Sequence, residues 1–158
     1  MNSRPMQLAV VGATGSVGRA VLEDLEAREI PGVPRLFATA RSEVDLLEFR
    51  GDELEVETVG DRSFRGCDAA ILAVPAPVAR ELAPRAWAEG CLAIDLSGAF
   101  RTADGVPLVV AGVNDAEVAR GEQRGIVASP SGPVVPLALA LAPIHRAAGL
   151  ARAAVTIL

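Results

Sequence analysis

The sequence predicts an α/β fold of the Rossmann-like, doubly wound kind: a mainly parallel sheet with helices on both faces. Three observations carry that prediction. Short apolar runs alternate with helical segments along most of the 158 residues. The runs are almost continuously apolar, as strands covered on both faces require, and do not alternate with polar residues. The first run enters the first helix through three glycines, Gly12, Gly15 and Gly18, three residues apart.

Taken in order, "QLAVVG" (Gln7–Gly12) reads as a buried strand. "GSVGRAVLEDLEAR" (Gly15–Arg28) follows, with Val17, Val21, Leu22 and Leu25 on one helical face. "RLFATA" (Arg35–Ala40) is a second strand. "LLEF" and "LEVETV", joined by a turn at Gly51-Asp52, form a small hairpin. "AAILAV" (Ala69–Val74) is again a buried strand. Pro77 opens a helix that Gly90 closes, and Pro84 inside it predicts a bend or an interruption. "CLAIDL", "PLVVAGV" and "GIVA" are further strand candidates, and "RAAVTIL" (Arg152–Leu158) would be one more.

From Val134 to Ile144 the last helix is apolar almost all the way round, so it is expected to be buried on more than one side. An apolar strand ending the chain would leave an open edge. Both features predict that further polypeptide or a partner subunit covers this end. The expected division is a dinucleotide-binding domain over 1–130 and the start of a second, catalytic or dimerisation domain over 131–158.

Composition narrows the function. The chain is 51% hydrophobic and 22% charged, ordinary for a soluble globular protein with a sizeable core. A formal net charge of −5 gives no electrostatic case for nucleic acid or anionic membranes. All 15 basic residues are arginine, so Schiff-base chemistry on a lysine is excluded within this sequence. Cys67 and Cys91 adjoin strand-like runs and read as small buried hydrophobes, with no metal cluster around them. The amino-terminal residues lack the pattern of a signal peptide, and Pro133–Pro143 is too short to span a bilayer. The cytoplasm is the expected location.

The chemistry starts at "VVGATGSVGRAVL". The first glycine permits a tight turn, the second lets backbone amides approach a pyrophosphate, and the third lets helix and strand pack closely. The helix amino end then favours an anion. Gly12, Thr14, Gly15, Ser16, Val17 and Gly18 are therefore the candidate dinucleotide-binding residues. After the second strand, where an acidic residue would bind ribose hydroxyls, stand Arg41 and Ser42. A guanidinium and a hydroxyl suit a 2′-phosphate, so NADP is the expected cofactor.

With these segments in view, the chain resembles the amino-terminal part of the aspartate-semialdehyde dehydrogenase family. The resemblance rests on "VVGATGSVGRAVLEDLE", "LFATARS", "AIDLSGAFR", "VPLVVAGVN" and "GIVASPSGPVVPLALALAPIHRAAGL", in the family's order and over nearly the whole chain. N-acetyl-glutamyl-phosphate reductase shares the architecture but fits "ATARS" and "SGAFR" less well. The resemblance implies a two-domain homodimer that reversibly reduces an acyl phosphate to an aldehyde with NADPH. In that family a cysteine attacks, a histidine of the later domain acts as acid and base, and arginines hold carboxylate and phosphate.

The family's reactive loop reads Asn-Pro-Asn-Cys-Ser-Thr or close to it. Here it is Ser129-Pro130-Ser131-Gly132-Pro133, with Gly132 where the cysteine would be. No thioester can form on a residue without a side chain. Ser131 lacks a neighbouring base, since the single histidine, His145, lies about three turns along the same helix. His145 itself reads as a helix-end residue. Arg101 of "SGAFR" corresponds to the family's phosphate-binding arginine. Asn114 matches a strand-end position without an assigned contact, and Asp95 reads as a strand-end or cap residue. No catalytic residue is therefore assigned. The favoured expectation is a non-catalytic NADP-binding relative. The alternatives are a structural or regulatory subunit that pairs with an active dehydrogenase without binding nucleotide, and an active oxidoreductase using another residue or a partner's thiol.

Overall fold

The computed structural model describes residues 4–39 and 45–156. Their centre is β1 (Leu8–Val11), every residue of which is buried. It pairs in parallel with β2 (Arg35–Ala38) on one side and with β5 (Ala69–Leu72) on the other. Beyond β2 lie β4 (Asp52–Thr58), parallel to it, and β3 (Leu46–Phe49), antiparallel to β4. Beyond β5 lie β6 (Leu92–Asp95) and β7 (Ile126–Ala128), both parallel. The order is β3-β4-β2-β1-β5-β6-β7. The chain reverses its direction of travel across the sheet at β1, so a crevice opens at the carboxyl ends of β1 and β5, where doubly wound folds bind ligands.

Strand alternation divides the core. Ala9, Val11, Phe37, Ala70, Leu72 and Ala93 face α2 (Ala76–Ala88) and its Ala79, Leu82, Ala83 and Ala86. Val10, Leu36, Leu47, Phe49 and Val56 face Leu22 of α1 (Ser16–Ala27). The many alanines let α2 lie close on the sheet. On the α1 side, the face over β5 and β6 has no covering helix among the described residues: Ile71, Ile94, Leu96, Val17 and Val21 line an open apolar groove of about 330 Å³.

Three expectations need correction. Pro84 does not interrupt its helix; α2 runs through it from Ala76 to Ala88. "PLVVAGV" makes one isolated bridge, Leu108 with Ala128, and no strand. Pro107 has no N–H to donate, and the Asn114 side chain takes over what a ladder would satisfy. It accepts from Val110 N at 2.8 Å and donates to the Leu108 carbonyl at 3.0 Å. Residues 151–156 are exposed and without regular structure, so the described part of "RAAVTIL" forms no strand; Ile157 and Leu158 lie outside the described residues. A strand needs a ladder partner, which hydrophobicity alone does not supply. The last helix, α4 (Val134–Ala148), has no residue buried within this chain despite its apolar circumference.

One element escaped the sequence reading. A 3-10 turn over Asp115–Glu117 leads into α3 (Val118–Arg124), which ends at Gly125 in the left-handed conformation, φ 74°. Gly125 also lies beneath Trp87: a Cβ there would come within 2.2 Å of the indole.

Candidate functional site: a cleft at the switch point beside an arginine-bearing loop

The glycine loop makes the tight turn and the close helix contact that its sequence predicts, unequally at its three positions. Gly12 has φ 82°, and a Cβ on it would stand 2.2 Å from the Ala73 carbonyl oxygen. Gly18 carries α1 against the loop so closely that a Cβ would be 2.1 Å from the Gly12 carbonyl oxygen. These two positions exclude every other residue. Gly15 is the cap residue of α1, with extended backbone and only a 3.3 Å approach to Gly12 O. The loop is tied to β2 by Gly12 N and Ala13 N, which both donate to Phe37 O at 2.8 and 3.1 Å. Gly15 N donates to Gly12 O at 3.0 Å, and Arg19 Nε to the Thr14 carbonyl at 3.2 Å.

Among the described residues no side chain caps the amino end of α1. Its first-turn amides therefore have neither an intrahelical acceptor nor, among those residues, a side-chain one, the arrangement that binds phosphate oxygens. They face a cleft of about 270 Å³ lined by Gly15, Ser16 and Val17 on one side, Ala73, Val74 and Pro75 after β5, and Leu96 and Ser97 after β6. The walls after β5 and β6 were missed by sequence reasoning. Their only signal was position, at the carboxyl ends of strands flanking the switch point. Arg41 and Ser42 lie outside the described residues.

Next to the cleft, Asp95 ends β6 and is fully buried (0% exposed). Its Oδ1 accepts from Ser97 N at 2.9 Å and from the Ser97 hydroxyl, and its Oδ2 accepts from Phe100 N at 3.0 Å. Both of its oxygens thus accept hydrogen bonds from the 97–100 loop. Arg101 leaves that loop and donates Nε–H to the Ser129 carbonyl at 3.0 Å. Thus the sheet brings Arg101 and the 129–133 loop together, although 28 residues separate Arg101 from Ser129.

Gly132 is exposed, and a Cβ added to it meets nothing within 4 Å. Ser131 lies at the turn into α4, where its carbonyl accepts from Val134 N at 2.9 Å. His145 sits in the last turn of α4 and accepts from Leu150 N on Nδ1 at 3.1 Å, an end-of-helix contact. Cys67 and Cys91 are both buried and unpaired. Burial pushes both thiols up, Cys91 to about 12, so neither is a nucleophile near neutral pH. Among the described residues no cluster of ligands could hold a metal ion, and no helix is long and apolar enough to cross a membrane.

Comparison with known proteins agrees with this geometry. A family model described as semialdehyde dehydrogenase, NAD binding domain, matches residues 7–121. The chain is 37% identical over 152 residues to the aspartate-semialdehyde dehydrogenase of Legionella pneumophila, covering 95% of this chain and 44% of that protein. It is 40% identical over 151 residues to that of Mycolicibacterium smegmatis, covering 93% and 43%. The crystal structure of Vibrio cholerae aspartate semialdehyde dehydrogenase II complexed with ASA superposes with TM-score 0.87 at 33% identity, over 92% of this chain and 48% of that one. The chain thus spans less than half the length of these relatives. A Candida albicans aspartate semialdehyde dehydrogenase structure with NADP shares the fold, with TM-score 0.70 at 20% identity over 93% of this chain and 48% of that one.

Proposed function

The chain belongs to the semialdehyde dehydrogenase family, whose nicotinamide-dinucleotide-binding domain it carries, and we propose that it holds NADP in the cleft at the switch point without catalysing an acyl-transfer step. The observation that carries this reading is the uncapped amino end of α1 facing that cleft. Gly12 and Gly18 permit the close backbone approach. Thr14, Gly15, Ser16 and Val17 supply the amides and hydroxyls at the pyrophosphate, and Arg41 and Ser42 take the 2′-phosphate. The bound cofactor's own chemistry is hydride transfer.

Catalytic inactivity rests on Gly132. The attacking group is missing there, Ser131 has no base beside it, and His145 faces Leu150 N. Arg101 remains suited to an oxyanion: Nε is committed to Ser129, while its two terminal nitrogens make no hydrogen bond among the described residues. In this reading residues 1–130 hold the dinucleotide and residues 131–158 begin a second, catalytic or dimerisation unit.

Titration of NADPH fluorescence with the purified chain tests the cofactor reading. Saturable binding supports it; no binding at about millimolar concentration removes it. A flat trace in phosphate-dependent NADP reduction with aspartate semialdehyde is expected, and turnover would end the claim of inactivity.

One observation favours a second role beside the first. α4 has no buried residue, Leu139 and Ile144 are exposed, and the β5–β6 face is open. A subunit surface, in a homodimer or against an active dehydrogenase, would cover such areas. Sedimentation of the purified chain gives its mass; a soluble monomer at all concentrations counts against this second role.

A further inference from the structure

The 97–101 loop stands between two features: Ser97 lines the dinucleotide cleft, and Arg101 reaches the 129–133 loop. Something must hold it, because it has no regular structure and Gly98 within it adopts φ 83°. The holding contacts form a closed ring. The Asp95 carbonyl accepts from Ser129 N at 2.9 Å. The Ser129 carbonyl accepts from Arg101 Nε at 3.0 Å. Phe100, directly before Arg101, donates its N–H back to Asp95 Oδ2 at 3.0 Å. The second carboxylate oxygen secures the front of the loop through the Ser97 amide and hydroxyl. The guanidinium lies over Gly98, where a Cβ would be 2.7 Å from Nη1 and 2.8 Å from Cζ.

A buried carboxylate that spends both oxygens on one loop is costly unless the contacts are fully made. Here they fix the direction in which Arg101 leaves the backbone. We infer that Asp95 is the positioning residue of Arg101, fixing the 97–101 loop so that the guanidinium keeps Nε on Ser129 and presents its two terminal nitrogens, as a fork, to a tetrahedral oxyanion. This rests on the reading of Arg101 as an anion-binding side chain. Asp95 touches no ligand; it acts through the loop. Gly98 completes the seat by offering no side chain under the guanidinium.

The decisive variant is Asp95→Asn. Its amide keeps the shape and one acceptor oxygen, but places an N–H₂ opposite either Phe100 N–H or Ser97 N–H, so one end of the loop is released. Two readouts on the purified chain separate positioning from general damage. The first needs no ligand: the Arg101 Nε–H resonance in a ¹H–¹⁵N spectrum, identified by its loss in Arg101→Ala. It should be protected from exchange in the parent and lost or rapidly exchanging in Asp95→Asn. The second is binding of inorganic phosphate. Asp95→Asn should weaken it by about tenfold or more, as for a lost hydrogen bond to a charged group, and should add nothing in an Arg101→Ala background.

An Arg101 Nε–H resonance unchanged by Asp95→Asn overturns the proposal. So does an equal further loss of phosphate affinity in the Arg101→Ala background, which would mark a merely structural carboxylate. Should Asp95→Asn not fold, Ser97→Ala removes the hydroxyl that the carboxylate holds. A smaller change in the same two readouts then supports the proposal, and none overturns it. If the parent binds no phosphate while Asp95→Asn still frees the Nε–H, the positioning stands and the anion reading beneath it falls.

Discussion

A Cβ placed on Gly18 would lie 2.1 Å from the carbonyl oxygen of Gly12, and 2.7 Å from the Cα of Ala13. Backbone atoms, not mobile side-chain ends, fill that space. Gly18→Ala is therefore expected to destabilise the chain by about 2 kcal/mol or more, by forcing α1 away from β1. Urea unfolding measures it. The same substitution at Gly15, with its 3.3 Å approach and no positive φ, should cost distinctly less.

Gly132→Cys should fold like the parent, within about 0.5 kcal/mol, because the position is open and exposed. Cys67 and Cys91 are buried, so a thiol reagent should leave the native parent nearly unlabelled and modify the variant rapidly at the new residue. Slow labelling would mean that the 129–133 loop is more enclosed than it stands here. Restored turnover is not expected from this change alone.

Arg41→Glu tests the choice between the two nicotinamide dinucleotides. Replacing a cation by an anion opposite a 2′-phosphate should weaken NADPH by about tenfold or more relative to NADH. Fluorescence titration with each dinucleotide gives the ratio. An unchanged ratio removes Arg41 from the site.

Stability should respond to pH at both extremes. Asp68 accepts from Gln7 N at 2.7 Å and from both terminal nitrogens of Arg4 at 2.8 and 2.6 Å. The Gln7 amide first, then Arg4, holds its carboxyl below the ordinary value of 3.8. A carboxyl depressed by folding stabilises above its unfolded value, and that contribution is lost as pH falls through the folded one. Acid unfolding should therefore steepen below 3.8, and Asp68→Asn should flatten it. Cys91 behaves in the opposite sense. Burial raises its thiol from 9.0 to about 12, so its contribution is complete below 9.0 and drains away as pH rises toward 12. Urea midpoints measured across both ranges check the two signs.

Much of the fold could be read because local and global preferences agree. Continuous apolar runs became β1, β2, β5, β6 and β7, and the expected hairpin formed, its turn at Arg50-Gly51 rather than Gly51-Asp52 joining β3 to β4. The glycine loop was legible for the same reason: Gly12 and Gly18 stand where a left-handed turn and a close helix contact allow nothing larger. Misreadings fell where composition and pairing part company. Leu108–Val113 is as apolar as a strand, yet Asn114 and Pro107 divert its hydrogen bonds. Pro84 survives inside α2, its neighbours Leu82, Ala83 and Ala86 buried against the sheet, which outweighs one lost hydrogen bond. α3 carried its stop signal in Gly125, but seven residues give too short a period to recognise.

What the sequence by itself determined is the strand and helix alternation, the phosphate-type turn and the absence of a sulfur at residue 132. Those depend on neighbours along the chain, through sterics and periodicity. Tertiary structure alone decided that Leu96 and Ser97 wall the same cleft as Ser16 and Val17. It also decided that Arg101 meets Ser129, and that Asp95, at a strand end, spends its carboxylate on the loop between them. Such meetings depend on the order of strands across a sheet, and strand order is set by packing energies that no local stretch of residues contains.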